Sequence, residues 1–186
     1  DLGFDQERIV QLPIYWRSRE THKSSPQDLR WRYQTVKQRA EQIPNVVATT
    51  SARFPQGSFV TPAMFEANGE EYQLGLMDVD EDYVSFFGLA ITEGRDFRPS
   101  DLPAPRRVNT SQVPTKTPTL SDALIYPGDP VYLLNETALK ALGWGEDVEG
   151  KSLRMKTGGI HGKPGTVTGA VKDFHVESLH TRIRYA

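Results

Sequence analysis

Val131 to Gly143 reads VYLLNETALKALG, and this stretch decides the fold class. Val131 to Leu134 is a short apolar run of the kind that fills a buried strand. Asn135 follows it directly. An Asn side chain accepts a hydrogen bond from the first turn of a helix, so Asn135 reads as an N-cap. Ala138, Leu139 and Leu142 then give that helix one apolar side, and Gly143 ends it. Downstream, Ser152 to Lys156 alternates as a strand does, Gly158 to Gly165 is a glycine-rich turn, and Thr166 to Val171 is a further strand leading into Asp173 to Leu179. Short helices interleaved with short strands predict an α+β fold with small sheets. There is no internal repeat of fixed period.

The same mixture extends towards the N-terminus. Leu89 to Ile91, and on through Phe97, is extended. Asp80 is the expected cap of a short helix through Phe86 and Phe87, closed by Gly88. Met64 to Ala67 and Tyr72 to Val79 flank Asn68-Gly69, a strong two-residue hairpin signal. Pro55 to Ser58 is a turn. Further upstream, Ser25-Pro26-Gln27-Asp28 marks a helix start. Leu29, Tyr33, Val36, Ala40 and Ile43 recur at helical spacing as one apolar face, and Pro44 ends the helix. With Arg8 to Ile14 (RIVQLPI) before it and Val46 to Ser51 after it, this helix is expected to form a βαβ-like unit. Trp31 lies on the face opposite the apolar one, where it either rests on a neighbouring loop or meets a partner.

Composition bounds the function. The chain has 186 residues, 22 Lys and Arg against 24 Asp and Glu, and a formal charge of −2. That balance argues against nucleic acid or an anionic membrane surface as the main partner, since both demand concentrated positive charge. The absence of cysteine removes disulfide frameworks, thiolate zinc sites and cysteine nucleophiles. No apolar run approaches the ~20 residues needed to span a bilayer. Of the 13 prolines, Pro99, Pro103, Pro105, Pro114, Pro118, Pro127 and Pro130 fall between 99 and 130. That segment reads as a long irregular excursion, either a solvated insertion or a partner-contacting loop.

Three motif matches fail on context. Gly145 to Ser152 fits the phosphate-binding pattern G-x-x-x-x-G-K-S, but that loop must leave a strand and enter a helix. Here it leaves a helix and enters a strand, and Glu146, Asp147 and Glu149 would repel phosphate. Asp78, Asp80 and Asp82 open like a calcium loop, yet Tyr83 and Leu89 stand where Gly and Glu are required. Asp173, His175 and His180 are a His/carboxylate cluster whose spacing suits neither one helix face nor one strand face. Ser178 has no nucleophile elbow around it. No catalytic, cofactor-binding or metal-binding residue is therefore assigned, and the chain reads as a binding or mechanical module.

Three blocks carry a family resemblance. The first is Asp78 to Tyr83 running into Phe86-Phe87-Gly88-Leu89 and Glu93-Gly94-Arg95-Asp96-Phe97. The second is Leu134 to Ala138 with Leu142-Gly143-Trp144 and Glu149 to Leu153. The third is Thr168 to His175, closing with Glu177 to His180. Their order and spacing resemble the periplasmic core domain of MacB/FtsX-type ABC transporter permeases, and Gly3-Phe4-Asp5 resembles the sequence that follows the first transmembrane helix of such permeases. The resemblance implies a two-lobed periplasmic core domain: a porter-like lobe with βαβ units (5–98 with 166–186) and a smaller inserted α/β, Sabre-like lobe (99–165, with the Pro-rich excursion 99–130). It implies a parent protein in the cell inner membrane with this domain on the periplasmic side, and it makes Asp1 and Tyr185-Ala186 expected cuts at membrane helices. The implied partners are a cytoplasmic ABC ATPase, a second permease copy, and a periplasmic adaptor or exported substrate, with no nucleic acid. Arg95 is expected to pair with nearby carboxylates as a structural element. Candidate partner contacts are Trp31, Met64 and Phe65 in the hairpin, and Tyr126 in the excursion. The rival readings are a stand-alone ligand-binding or adaptor domain and, more remotely, a nucleotide hydrolase acting through Gly145 to Ser152.

Overall fold

The computed structural model describes residues 8–12, 26–52, 60–101, 129–156 and 164–175, with helix side chains from Gln34 onward. The elements in chain order are α1 (Pro26–Glu41), β1 (Thr61–Ala67), β2 (Glu70–Leu76), α2 (Tyr83–Phe87), β3 (Ile91–Gly94), a single 3-10 turn (Pro99–Asp101), β4 (Val131–Asn135), α3 (Glu136–Ala141), β5 (Ser152–Met155) and β6 (Pro164–Val171). The class is α+β, built on one six-stranded sheet.

The sheet is mixed. β1 and β2 form an antiparallel hairpin, with Phe65 opposite Tyr72 and Ala67 opposite Glu70. Asn68 (φ 54) and Gly69 (φ 82) make its two-residue turn, both at the positive φ such turns demand. β5 runs antiparallel between β1 and β6. β4 runs parallel to β6 along most of its length, from Thr166 to Val171. β3 pairs antiparallel with the far end of β6, Gly94 opposite Gly169. A strand has only two edges, so β5 and β3 lie in tandem on the edge of β6 opposite β4.

Two apolar clusters cover the two faces of this sheet. Successive side chains of a strand point to opposite faces, and Leu134 packs in the first cluster while Leu133 packs in the second. The first holds Phe65, Leu74, Leu153, Val167 and Ala170 beneath α3, which contributes Ala138 and Leu139. The second holds Tyr83, Val84 and Phe87 of α2 against Val171 and Phe174. β6 reports the difference in its burial: Pro164 to Val167 alternates exposed and buried, whereas Thr168 to Val171 is buried on both faces.

Three helix ends behave as the sequence predicts. Asn135 Oδ1 accepts from the Ala138 N–H at 2.8 Å, a cap worth about 1 kcal/mol. Gly88 (φ 60) and Gly143 (φ 64) close α2 and α3 in the left-handed region, where a side chain would be strained. Asp80 is a correction. The N-cap of α2 is Asp82, whose side chain makes no capping bond. The Asp80 carboxylate instead accepts from Thr50 Oγ1 and from the Ser51 N–H at 3.1 Å, with Lys37 Nζ 3.7 Å away.

The N-terminal βαβ expectation is also corrected. The helix forms, but among the described residues neither 8–12 nor 46–51 is a strand, and only an isolated bridge, Ala52 to Val79, is made nearby. Strand formation needs partners for both backbone and side chains, and here Val10, Leu12 and Val47 are 79%, 74% and 97% exposed. Among the described strands, β4 pairs with β6, and β5 pairs with both β6 and β1. No helix among the described residues is long and apolar enough to cross a membrane.

Candidate functional site

Four polar assemblies are built on this frame. The first ties β3 to the loop that leaves α3. Gly94 and Gly169 let the two backbones approach closely. A Cβ on Gly169 would lie 2.5 Å from Glu93 O and 2.7 Å from Arg95 N. This contact places Glu93 Oε1 to accept from the Val148 N–H at 2.8 Å. It also sets Arg95 against two carboxylates. Nη1 and Nη2 bond Asp101 Oδ2 and Oδ1 at 2.7 and 3.0 Å, and Nε meets Glu149 Oε1 at 3.2 Å. The paired guanidinium holds the Asp101 carboxyl below its usual range, chiefly through these hydrogen bonds, and is itself raised. Arg95 thus has the structural role its surroundings predict.

The second assembly joins the end of β6 to the start of α3. Asp173 Oδ1 accepts from the Thr137 N–H at 2.9 Å, and Oδ2 accepts from Thr137 Oγ1 at 2.7 Å. A carboxylate at a helix N-terminus is stabilised by the orphan N–H groups there. Asp173 is thereby committed to capping; His180, its partner in the suspected cluster, lies outside the described residues. The third assembly is Asp80 with Thr50, Ser51 and Lys37, which tethers α1; Lys37 also bonds Asp82.

The fourth assembly borders a cleft of about 460 Å³ between the β1–β2 turn, the exit of α3 and the start of β5. Gly143 turns the chain so that the Trp144 N–H reaches back to Leu139 O at 2.9 Å. The Trp144 ring then enters the first core cluster, 7% exposed. Its Nε1 is buried without an acceptor. Lys151 sits over the ring with Nζ 5.2 Å from the centroid, a cation–π contact. Leu153 and Met155 point inward from β5, so Ser152 and Arg154 point outward to the cleft wall. Glu66, directly across from Arg154 in the ladder, sends its carboxylate to Lys156 at 3.1 Å, and Lys156 also takes Glu71 at 2.6 Å. Those two carboxylates, Glu71 first, raise the Lys156 pKa.

The candidate contacts separate. Phe65 is a correction: it is 2% exposed, in the core, edge-on to Tyr132 at a ring separation of 5.7 Å. The alternation along β1 puts Ala63, Phe65 and Ala67 inward together, and a hairpin strand cannot present all its side chains outward. Met64, on the opposite face, is half-buried. Trp31 falls in the part of α1 whose side chains are outside the description, and Tyr126 lies outside the described residues. The Gly145–Ser152 match leaves α3 and enters β5, with no helix after it and with Lys151 engaged on Trp144. No group of three or more His, Cys, Asp or Glu among the described residues could hold a metal ion. The cleft residues Trp144, Lys151 and Arg154 were not singled out as a site by sequence. Period-2 alternation in Ser152 to Met155 faces Arg154 outward, but nothing local brings Trp144 beside it.

No family model and no curated protein matches the chain. Solved structures similar to it include the periplasmic region of MacB from Actinobacillus actinomycetemcomitans, at 15% identity and TM-score 0.48 over 81% of this chain and 59% of that one. Another is the extracellular domain of the noncanonic ABC-type transporter YknZ from Gram-positive bacteria, at 14% identity and TM-score 0.47 over 80% and 66%. A third is a domain of a putative permease protein from Porphyromonas gingivalis, at 17% identity and TM-score 0.47 over 78% and 47%. The chain spans less than two thirds of the length of each.

Proposed function

We propose that the chain is the extracytoplasmic domain of an ABC transporter permease subunit, not itself catalytic, which contacts substrate or partner and couples cytoplasmic ATP hydrolysis to periplasmic motion. One observation supports this reading above the others. The three sequence blocks that resemble the permease domain are far apart in the chain, yet they meet. β3 lies on β6 through Gly94 and Gly169. Glu93 holds Val148, Arg95 holds Glu149, and Asp173 caps α3 at Thr137. The residues that carry the resemblance are the ones that tie the sheet together, as expected of a shared folding unit. Under this reading, the sheet tied in this way is the element that carries displacement during coupling.

In the parent protein, the partners under this reading are a cytoplasmic ABC ATPase, a second permease copy, and a periplasmic adaptor or exported substrate. The test is the parent reading frame, followed by topology mapping. Apolar segments of ~20 residues should flank the domain, and a reporter fused within it should be active only outside the cytoplasm. A start codon immediately before residue 1 with a stop after residue 186, or a cytoplasmic reporter, overturns the proposal.

A further inference from the structure

We propose that the cleft beside Trp144 is a binding site for a single carboxylate, carried by a small organic acid or by the end of a peptide. Its wall is rich in donors and short of acceptors. Neither Lys151 nor Arg154 ion-pairs with a carboxylate among the described residues. Lys151 rests on the Trp144 ring, and the carboxylate of Glu66, which faces Arg154 across the ladder, is drawn away by Lys156. Lys156 therefore holds two carboxylates, Glu66 and Glu71, while its neighbour two residues back in β5 holds none. A cation left unpaired at a concave, partly apolar wall is a ready partner for an anion, because charge-assisted bonds strengthen as water is excluded.

The charge count selects the anion. Lys151 and Arg154 line the cleft, and the adjoining Glu66–Lys156–Glu71 group carries one net negative charge, so one positive charge is in excess, which balances a monoanion and disfavours a dianionic phosphate. Trp144 supplies a flat apolar wall. Its Nε1 is buried without an acceptor, so the indole signal reports any change in this wall. Ser152 and Asn68 add short polar side chains at the rim.

The test uses the 186-residue chain labelled with nitrogen-15, following the Trp144 indole signal, which is assigned by its loss in Trp144→Phe. Benzoate and an acetylated dipeptide with a free C-terminus are titrated against their neutral twins, benzamide and the C-terminally amidated dipeptide, and against inorganic phosphate. A shift of the indole signal with either carboxylate, absent with its neutral twin, supports the site. Response to the dipeptide alone assigns a peptide end as the source, and response to benzoate alone a free acid. Lys151→Gln and Arg154→Gln, both surface changes that leave the fold intact, should each weaken binding about tenfold. An indole signal unmoved by both carboxylates, equal response to the amides, stronger binding of phosphate, or unchanged affinity in both Gln variants overturns the proposal. None of these outcomes depends on whether the parent is a permease.

Discussion

The sheet and the N-terminal helix use apolar residues in opposite ways. In the sheet, Leu153, Val167 and Ala170 are 1% exposed or less, and each lies among partners from other elements. Around α1, Ile43, Val46 and Val47 are 55%, 36% and 97% exposed, and the helix is held instead by polar tethers: Lys37 to Asp80 and Asp82, and Thr49 to Glu41 at 2.9 Å. Burial stabilises by roughly 25 cal/mol per Å² of apolar area, whereas each polar tether contributes about 0.5–1.5 kcal/mol net. One region is therefore self-sufficient, and the described end of the other is held by polar contacts.

The sharpest way to break this contrast is to truncate one apolar residue in each region. Leu153→Ala should cost about 3 kcal/mol in denaturant unfolding, while Ile43→Ala should stay within about 0.5 kcal/mol. Similar losses in the two variants would show that the helix is as well packed as the sheet. Next in size, Gly169→Ala forces a Cβ into Glu93 O and Arg95 N, and should cost about 2 kcal/mol with faster amide exchange in β3. Tyr132 sharpens the comparison from the side of pH. Burial, and then the charge of Asp78, push its pKa from 10.0 up to about 12. A raised pKa favours the neutral phenol in the folded state, so this contribution is complete below pH 10 and is lost as pH climbs through 12. The loss should reach about 1 kcal/mol by pH 11, and phenolate absorbance should show this tyrosine ionising late. The smallest effect is expected at Lys37→Met, about 1 kcal/mol in global stability, because the buried Asp80 carboxylate keeps its bonds from Thr50 and Ser51. Amide exchange in α1 should nevertheless rise while that of β6 stays unchanged.

Legibility in the sequence follows the same divide. Features set by near neighbours were readable. Asn68-Gly69 requires its turn, Asn135 reaches an N–H three residues on, and the runs at Val131 and Thr166 are strands wherever they dock. The α1 helix was readable too, but the apolar runs on either side of it were read as strands that do not form among the described residues, because a β-rich composition does not supply a pairing partner. Asp80 was misread because a carboxylate just ahead of a helix has a local explanation, and its real partners, Thr50 and Ser51, lie some thirty residues away. Phe65 was misassigned although the alternation of Ala63, Phe65 and Ala67 already faced it inward. The cleft was hidden because it depends on where β5 docks, a pairing across about ninety residues that no local pattern encodes.

The position of β5 has a consequence for assembly in time. In the order β2-β1-β5-β6, no strand-to-strand ladder among the described residues joins the β1–β2 hairpin to the remainder until residues 152–155 arrive. During synthesis, the hairpin closes early from local contacts and then waits with one edge of β1 open. The last described strands complete the ladder by insertion, so closure is a late, non-local and comparatively slow step. The interval before it is when this chain is most open to pairing with another strand.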